Sequence, residues 1–359
     1  MGDAVSDEYG DWTPALEACA PGVVMLVGDV DTGKSTLAGL LASACAEAGL
    51  RTAVVDADLG QSEIGPPTCV GFAMVAERVE RLSDLAPHAL SFVGSCSPAG
   101  AGMEVTVATV SMVRAAREQG AETVIVDTCG MVRGPAGRRL KQAQMAAVRP
   151  DTVVILERAA ECAHVVAPLR YSRHTRVFRL PVPACIQRKS AVLRTHRRAA
   201  RFARYFDGAE AMSLSMDEVA LSGTWVTGGQ ALEPHLRRFA SRALGVEVYH
   251  AERGDAFAGL VTSREPRDPQ GVQVVQQQLQ VTSMVVTPVA RLLHLVVGLD
   301  DGEGRWVGIG SVDRIGFARR MLTVMTPVRS SGAVRHVRFG LLRVQPDGTE
   351  LGANRPGEV

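Results

Sequence analysis

The chain has 359 residues, of which 46% are hydrophobic and 21% charged, and its 39 Lys and Arg against 38 Asp and Glu give a formal net charge of +1. This composition excludes wholesale disorder and any global electrostatic attraction to nucleic acid. No apolar run approaches the roughly 18 residues that cross a bilayer, and the acidic N-terminus lacks the apolar core of a secretory signal. The seven Cys are scattered without a Cys-x-x-Cys pair, which argues against a disulfide framework or zinc site and indicates a cytoplasmic protein.

The first predicted strand and helix enclose a phosphate-binding motif. An apolar run at 23–27 predicts a buried strand, and an Ala- and Leu-rich run predicts a helix over 34–48. The chain between them reads Gly-x4-Gly-Lys-Ser, in which backbone N–H groups surround phosphate oxygens, the lysine reaches the β- and γ-phosphates and the serine ligates Mg²⁺. The predicted ATP-binding residues are Gly28, Asp29, Val30, Asp31, Thr32, Gly33, Lys34, Ser35 and Thr36.

Three acidic residues lie at the ends of later predicted strands. The strand at 52–56 ends in Asp56 and is followed by Asp58, and the apolar run at 123–127 ends in Asp127. Because the carboxyl ends of parallel strands face the ligand crevice, these side chains are candidates for holding Mg²⁺ or for orienting and deprotonating a nucleophile. The alternative for any one of them is a structural role in a turn or a helix cap.

Four further segments follow the phosphate loop in a characteristic order. They are Asp56-Ala-Asp-Leu-Gly-Gln-Ser, Pro66-Pro67, Phe92-Val-Gly-Ser-Cys-Ser-Pro98 and Asp127-Thr-Cys-Gly-Met-Val-Arg-Gly134. From about residue 22 to the C-terminal end, the chain resembles the polynucleotide 5′-hydroxyl kinase family. That family includes the kinase subunit of pre-mRNA cleavage factor and tRNA splicing, the ribosomal-RNA processing kinase and their prokaryotic relatives.

The resemblance implies roles for individual residues. Asp58 would position and activate the 5′-hydroxyl, and Ser35, Asp58 and Asp127 would hold the metal. A clasp that contains Thr128, Cys129 and Gly130 would hold the terminal nucleotide. The full set of expected substrate-binding residues is Asp56, Gln61, Thr128, Cys129, Gly130, Met131 and Arg133. Met131 departs from the family, because eukaryotic members often carry an aromatic residue there that can stack on a base. The stretch before the first strand is also too short for the β-domain of eukaryotic members, so adenine would be held by other means.

A basic segment follows the predicted α/β region. Eleven Lys and Arg and no Asp or Glu lie between Arg170 and Phe206. Its latter part predicts a helix over 190–206 on which Arg194, Arg198 and Arg201 share one face. We expect this face to act as the arginine-bearing lid that the family has over the phosphates, at about 188–206. The alternative is a solvated basic helix that pairs with acids elsewhere.

The order of predicted elements indicates an α/β fold, a P-loop parallel sheet with helices on both faces, followed by a β-rich part. We predict an N-terminal extension over 1–21, a kinase domain over 22–250 and a β-rich C-terminal domain over 251–359. Predicted strands lie near 23–27, 52–56, 90–94, 123–127, 152–156 and 176–180, and predicted helices near 34–48, 103–118, 137–147, 190–206 and 234–244. The C-terminal strand-like runs are 272–286, 292–299, 306–311, 321–326 and 334–344.

These observations favour a kinase that transfers the γ-phosphate of ATP, with Mg²⁺, to the 5′-hydroxyl end of RNA or DNA. The alternative from another class is an ATP-bound, non-catalytic scaffold subunit of an RNA-processing complex. A P-loop ATPase or GTPase switch is less favoured, because no Lys is followed two positions later by the Asp that specifies guanine.

Overall fold

The computed structural model describes residues 12–17 and 20–359. Most of the predicted N-terminal extension therefore lies outside the described residues. The chain forms two compact units, of which the first ends at Arg198 and the second begins at Ala199. The domain boundaries predicted at residues 21 and 250 describe parts of the chain that would fold independently. The two compact units do not test this property, so both boundaries stay predictions.

The first unit is built on a seven-stranded sheet with the order β4-β3-β2-β5-β1-β6-β7. Its strands are β1 (Gly22–Gly28), β2 (Thr52–Ala57), β3 (Cys69–Val75), β4 (Ala89–Phe92), β5 (Thr123–Thr128), β6 (Thr152–Glu157) and β7 (Arg176–Pro181). The five strands β2, β5, β1, β6 and β7 are parallel, whereas β3 and β4 add an antiparallel edge. The predicted α/β class is confirmed, although the sequence reading missed β3.

Helices cover both faces of this sheet. The helices that belong to the first unit are α1 (Thr13–Glu17), α2 (Lys34–Glu47), α3 (Gly102–Glu118), α4 (Gly134–Val148) and the short α5 (Ala163–Val166), and α6 (Ala191–Tyr205) begins in the first unit and ends in the second. Leu37 and Leu41 of α2 pack against one face, and Val105 of α3 and Leu140 of α4 pack against the other. Burial on both faces explains why β1, β2, β5 and β6 read as continuous apolar runs rather than alternating ones.

The strand order brings the predicted acidic residues together. Strand β5 lies between β1 and β2, and Asp127 is level with both Leu26 of β1 and Asp56 of β2. The phosphate loop leaves the carboxyl end of β1 and enters α2. The three candidate aspartates and the loop therefore lie at one edge of the sheet, where α/β proteins bind ligands.

The second unit contains two sheets. One has the order β18-β17-β14-β15-β16-β8 with β9 beside β17, and the other has the order β10-β11-β12-β13. The strands are β8 (Glu210–Ser215), β9 (Ala220–Ser222), β10 (Gln230–Ala231), β11 (Val248–Arg253), β12 (Phe257–Thr262), β13 (Ser283–Pro288), β14 (Leu295–Asp300), β15 (Trp306–Gly316), β16 (Met321–Thr326), β17 (His336–Val344) and β18 (Glu350–Ala353), and the helices are α7 (Pro234–Leu244), α8 (Pro269–Leu279) and α9 (Val289–Leu292).

The strand predicted over 272–286 is wrong. Residues Pro269–Leu279 form α8, whose N-terminus is capped by Asp268, and the strand β13 begins only at Ser283. The helix buries Gly271, Val275 and Leu279, which are spaced by four residues. This spacing is that of a helix face, and the β-branched valines concealed it. Within the described residues, no helix combines the length and apolar character that a membrane span requires.

Candidate active site

The phosphate loop has the backbone geometry that its motif predicts. Gly33 has φ 86° at the N-terminus of α2, a left-handed conformation that favours glycine. A Cβ on Gly28 would lie 2.5 Å from the carbonyl oxygen of Leu156, so only glycine fits there. The buried Lys34 donates through Nζ to the carbonyl of Asp29 at 2.7 Å, and Thr32 donates to the same oxygen at 3.0 Å. The loop is therefore a tight turn with its lysine folded over it.

Two acidic residues within the loop hold two of the predicted arginines. The Asp29 carboxylate accepts from Arg133 Nε at 2.8 Å and lies 2.7 Å from its Nη2. Asp31 accepts from Arg194 Nη1 at 3.1 Å and from the backbone N–H of Lys189 at 2.9 Å. Burial acts to raise the pKa of Asp29, but the hydrogen bonds from Arg133 and the Val30 amide outweigh it and lower that pKa. The predicted clasp and the predicted lid thus each contact the phosphate loop through a carboxylate, Asp29 or Asp31, at a position where the motif allows any residue.

The carboxylate of Asp56 is hydrogen-bonded by the loop that follows β2. It is buried and accepts hydrogen bonds from the backbone N–H of Asp58 at 3.0 Å, from that of Ile64 at 2.9 Å, from the Glu63 amide and from the Ser62 hydroxyl at 3.3 Å. Burial and the Asp127 carboxylate raise its pKa, and the amides of Ile64 and Asp58 act against that rise. Its contacts are those of a residue that shapes the turn after β2.

Asp127 is the opposite case. It is equally buried, and neither of its carboxylate oxygens accepts a well-formed hydrogen bond from any described residue. Burial raises its pKa to about 6, while the charge of Lys34 and the side chain of Ser35 act to lower it and Asp58 acts to raise it. A buried carboxylate that lacks a well-formed hydrogen bond is costly unless a cation completes it. The position beside the phosphate loop fits Mg²⁺ held together with the Ser35 hydroxyl.

Asp58 is half-buried at the start of the loop after β2. Its Oδ1 accepts from the N–H groups of Gly60 and Gln61, both at 3.0 Å, which fixes the orientation of the carboxylate. A Cβ on Gly60 would lie 3.8 Å from both Asp58 Oδ1 and Arg198 Nη1. The Arg198 guanidinium and the Asp58 carboxylate therefore approach the same side of Gly60.

The lid helix α6 is attached to this loop by Gln61. The Gln61 amide donates to the carbonyl of Arg194 at 3.1 Å and to that of Gly60 at 2.8 Å. Arg194, Arg198 and Arg201 are half-buried, whereas Arg197 and Arg204 of the same helix are exposed. The predicted arginine face is thus the less exposed side of α6.

The predicted clasp follows β5. The Thr128 hydroxyl donates to the carbonyl of Leu26 at 2.7 Å, so this side chain joins β5 to β1. A Cβ on Gly130 would lie 2.6 Å from the Val30 amide nitrogen, so the clasp backbone packs directly on the phosphate loop. Met131 is half-buried against the core, and Cys129 is buried with a free thiol.

Two basic residues near this site, Arg158 and Lys141, are not among the predicted site residues. Arg158 donates through Nη2 to the carbonyl of Asp31 at 2.7 Å and so supports the phosphate loop. Lys141 of α4 is fully buried and donates to Cys129 Sγ at 3.4 Å. Only Lys141 carried a signal, because the chain has three Lys in all, Lys34, Lys141 and Lys189.

A phosphate loop between β1 and α2, with aspartates at the carboxyl ends of β5 and β2, defines a P-loop nucleotide-binding protein. The family described as mRNA cleavage and polyadenylation factor CLP1 P-loop matches residues 28–208, and the chain belongs to this family. The predicted family is therefore confirmed.

Relatives and a solved structure agree with this assignment. The chain is 30% identical to a polyribonucleotide 5′-hydroxyl-kinase of Pyrococcus horikoshii, over 92% of this chain and 88% of the relative. It is 31% identical to one of Pyrococcus furiosus, over 92% of this chain and 90% of the relative. The structure of the wild-type Clp1p–Pcf11p complex matches with a TM-score of 0.58 at 11% identity, over 92% of this chain and 76% of that one, which supports the fold.

Proposed function

We propose that the protein is an ATP-dependent polyribonucleotide 5′-hydroxyl kinase, which transfers the γ-phosphate of ATP to the 5′-hydroxyl end of RNA. The observation that carries the proposal is the oriented carboxylate of Asp58, which approaches the same side of Gly60 as Arg198 and acts to raise the pKa of Asp127. The kinase names of the archaeal relatives favour this activity over the non-catalytic scaffold.

The residues divide the work of phosphoryl transfer. The backbone N–H groups of the loop bind the phosphates, and Lys34 neutralises their charge once it leaves the Asp29 carbonyl. Asp58 orients the 5′-hydroxyl for in-line attack and accepts its proton late, because a sugar hydroxyl is a very weak acid. Arg198 stabilises the charge that develops on the transferred phosphoryl group, and Arg194 and Arg201 belong to the same face of the lid.

The metal that this chemistry implies is Mg²⁺. Ser35 and Asp127 would hold it, with Asp58 as the third candidate, and the orphaned carboxylate of Asp127 supports that fit. When bound, Mg²⁺ neutralises charge on the β- and γ-phosphates.

Transfer of label from γ-labelled ATP to a 5′-hydroxyl RNA oligonucleotide tests the proposal. The protein should label the 5′ end of the RNA, and Lys34→Met should lower the rate by about 10²–10³-fold, as loss of a preorganised cationic group does. Arg114→Met is the matched control, because it also removes a positive charge but from an 80% exposed side chain on α3. It should retain the parental rate.

The other outcomes of the same assay identify the alternatives. Phosphate release that needs no oligonucleotide would indicate a switch ATPase, and tight ATP retention without transfer would indicate a scaffold. Either result contradicts the kinase proposal. A DNA oligonucleotide of the same sequence shows whether the acceptor site requires the ribose 2′-hydroxyl, which is the group that distinguishes the two polymers.

A further inference from the structure

A buried lysine lies directly behind the clasp. Lys141 projects from α4, and its side chain is fully buried. Its Nζ donates to Cys129 Sγ at 3.4 Å and to Gln144 Oε1 at 3.4 Å. Burial lowers the pKa of Lys141, and the neighbouring Cys129 acts against that decrease. In a chain with 36 Arg and only three Lys, a lysine at a fully buried position is unusual.

Lys141 belongs to a chain of polar side chains in an apolar core. Gln144, also on α4 and fully buried, donates through Nε2 to the hydroxyl of Thr109 on α3 at 3.4 Å. The two helices that carry these polar side chains contribute Val113, Leu140 and Met145 to the apolar core. A buried polar chain stabilises a fold little compared with apolar residues of the same volume, so stability alone does not account for it.

At the Lys141 end, this series of polar side chains reaches the segment that follows β5. Cys129 follows the last residue of β5 and precedes Gly130, whose backbone packs on Val30 of the phosphate loop without room for a Cβ. A displacement of Cys129 would therefore move Gly130 relative to the phosphate loop. The hydrogen bond from Lys141 opposes that displacement from the buried side. Cys129 is 4% exposed, so its thiol faces the interior rather than a substrate.

We infer that Lys141 is a positioning residue for the RNA end: it holds Cys129, and through it the clasp backbone at Gly130, in register with the phosphate loop. The inference rests on the proposed kinase activity, because the clasp is where that activity would hold the terminal nucleotide. Lys141 itself touches no substrate. It sets where the clasp lies, so its loss should weaken RNA binding more than ATP binding.

A double-mutant cycle between Lys141 and Cys129 tests this link. Lys141→Met keeps an unbranched side chain one heavy atom shorter and removes the donor, and Cys129→Ala removes the acceptor. Each should raise the KM for 5′-hydroxyl RNA about tenfold, the effect of one buried hydrogen bond, with kcat and the Kd for ATP near parental values. The double variant should show the same increase rather than about a hundredfold one, because both substitutions cut one contact.

Thr109→Val provides the structural control. It breaks the same polar chain at its far end, so it should lower the melting temperature while the KM for RNA stays parental. A parental KM in Lys141→Met and Cys129→Ala, multiplicative effects in the double variant, or an equal KM increase in Thr109→Val would each overturn the inference. If Lys141→Met does not fold, the test is the comparison of the KM for RNA between Cys129→Ala and Thr109→Val. Failure of the unmodified protein to label RNA would instead refute the kinase proposal.

Discussion

Two neighbouring strands of the nucleotide-binding sheet have an aspartate as their penultimate residue, at the same level, yet the two side chains have opposite environments. Asp56 of β2 is surrounded by donors from the loop that follows it, whereas neither oxygen of Asp127 of β5 has a well-formed hydrogen bond from a described residue. Both are buried. Burial alone therefore does not distinguish a structural carboxylate from a ligand-binding one. The number of satisfied oxygens does, because an unpaired buried charge requires a cation from elsewhere.

Asp58 lies two residues beyond Asp56 and extends the comparison. One of its oxygens accepts from Gly60 and Gln61, which fixes the carboxylate without burying it completely. In the loop after β2, Asp56 therefore stabilises the turn through its hydrogen bonds, whereas Asp58 keeps a partly exposed carboxylate that a ligand can reach. This division predicts separate effects for three substitutions of aspartate by asparagine, a change that keeps size and removes charge.

Asp58→Asn should have the largest effect on turnover. Asparagine retains the oxygen that accepts from Gly60 and Gln61, so the turn and the melting temperature should be preserved. The rate of RNA phosphorylation should fall about 10²–10⁴-fold because the general base is lost. Labelling kinetics together with a Kd for ATP measure the two effects separately. Full turnover with normal ATP binding would exclude Asp58 from the chemistry.

Asp127→Asn should act through the metal. The activity at millimolar Mg²⁺ should fall about 10–100-fold, as when a group that supports a bound metal is lost, and added Mg²⁺ should partly restore it. The melting temperature should be unchanged or higher, because the substitution removes an unpaired buried charge. A titration of activity against Mg²⁺ and a thermal melt check both. A lower melting temperature with an unchanged Mg²⁺ requirement would make Asp127 structural, like Asp56.

Asp56→Asn should chiefly lower stability. Its amide group would face donors of Ser62, Glu63 and Ile64 with which it cannot pair, and unpaired buried groups cost about 1–3 kcal/mol. Urea unfolding measures the free energy, and the comparison with Asp127→Asn is the informative one. If the two variants lose equal stability, the hydrogen-bond count does not distinguish the two strand ends.

Local patterns predicted the phosphate loop, because Gly28, Gly33 and Lys34 have backbone and charge requirements that few other residues meet. They also placed Ser35 and Asp127 at one edge of the sheet, since parallel strands bring their carboxyl ends together. They left the roles of Asp56 and Asp58 open, because the donors that surround Asp56 come from residues 58–64, where turn chemistry rather than periodicity decides the geometry.

Contacts between distant segments could not be predicted. Thr128 donates to Leu26, which is 102 positions earlier, and Gln61 donates to Arg194, 133 positions later. Such pairs depend on the order of the strands in the sheet and on the position at which a distant helix packs. Neither can be read from local patterns in a single sequence. The helix α8 was missed for a different reason, since its valines favour strands and only burial at every fourth residue shows its period.

Asp29 is intermediate between the two strand-end aspartates, because its partner is a side chain, Arg133, that is itself 65% exposed. The hydrogen bonds from Arg133 and the Val30 amide lower the pKa of Asp29 despite its burial. A carboxylate with a lowered pKa stabilises the folded state above its unfolded pKa of 3.8, and that contribution is lost as the pH falls through the folded value. Arg133→Met should therefore move the midpoint of acid unfolding slightly upward in pH. The loss of folding free energy behind this shift should be smaller than the loss in Asp56→Asn, because an exposed partner contributes little. Acid titrations followed by tryptophan fluorescence measure the midpoint. An unchanged midpoint would mean that the hydrogen bond from the Val30 amide alone lowers the pKa of Asp29.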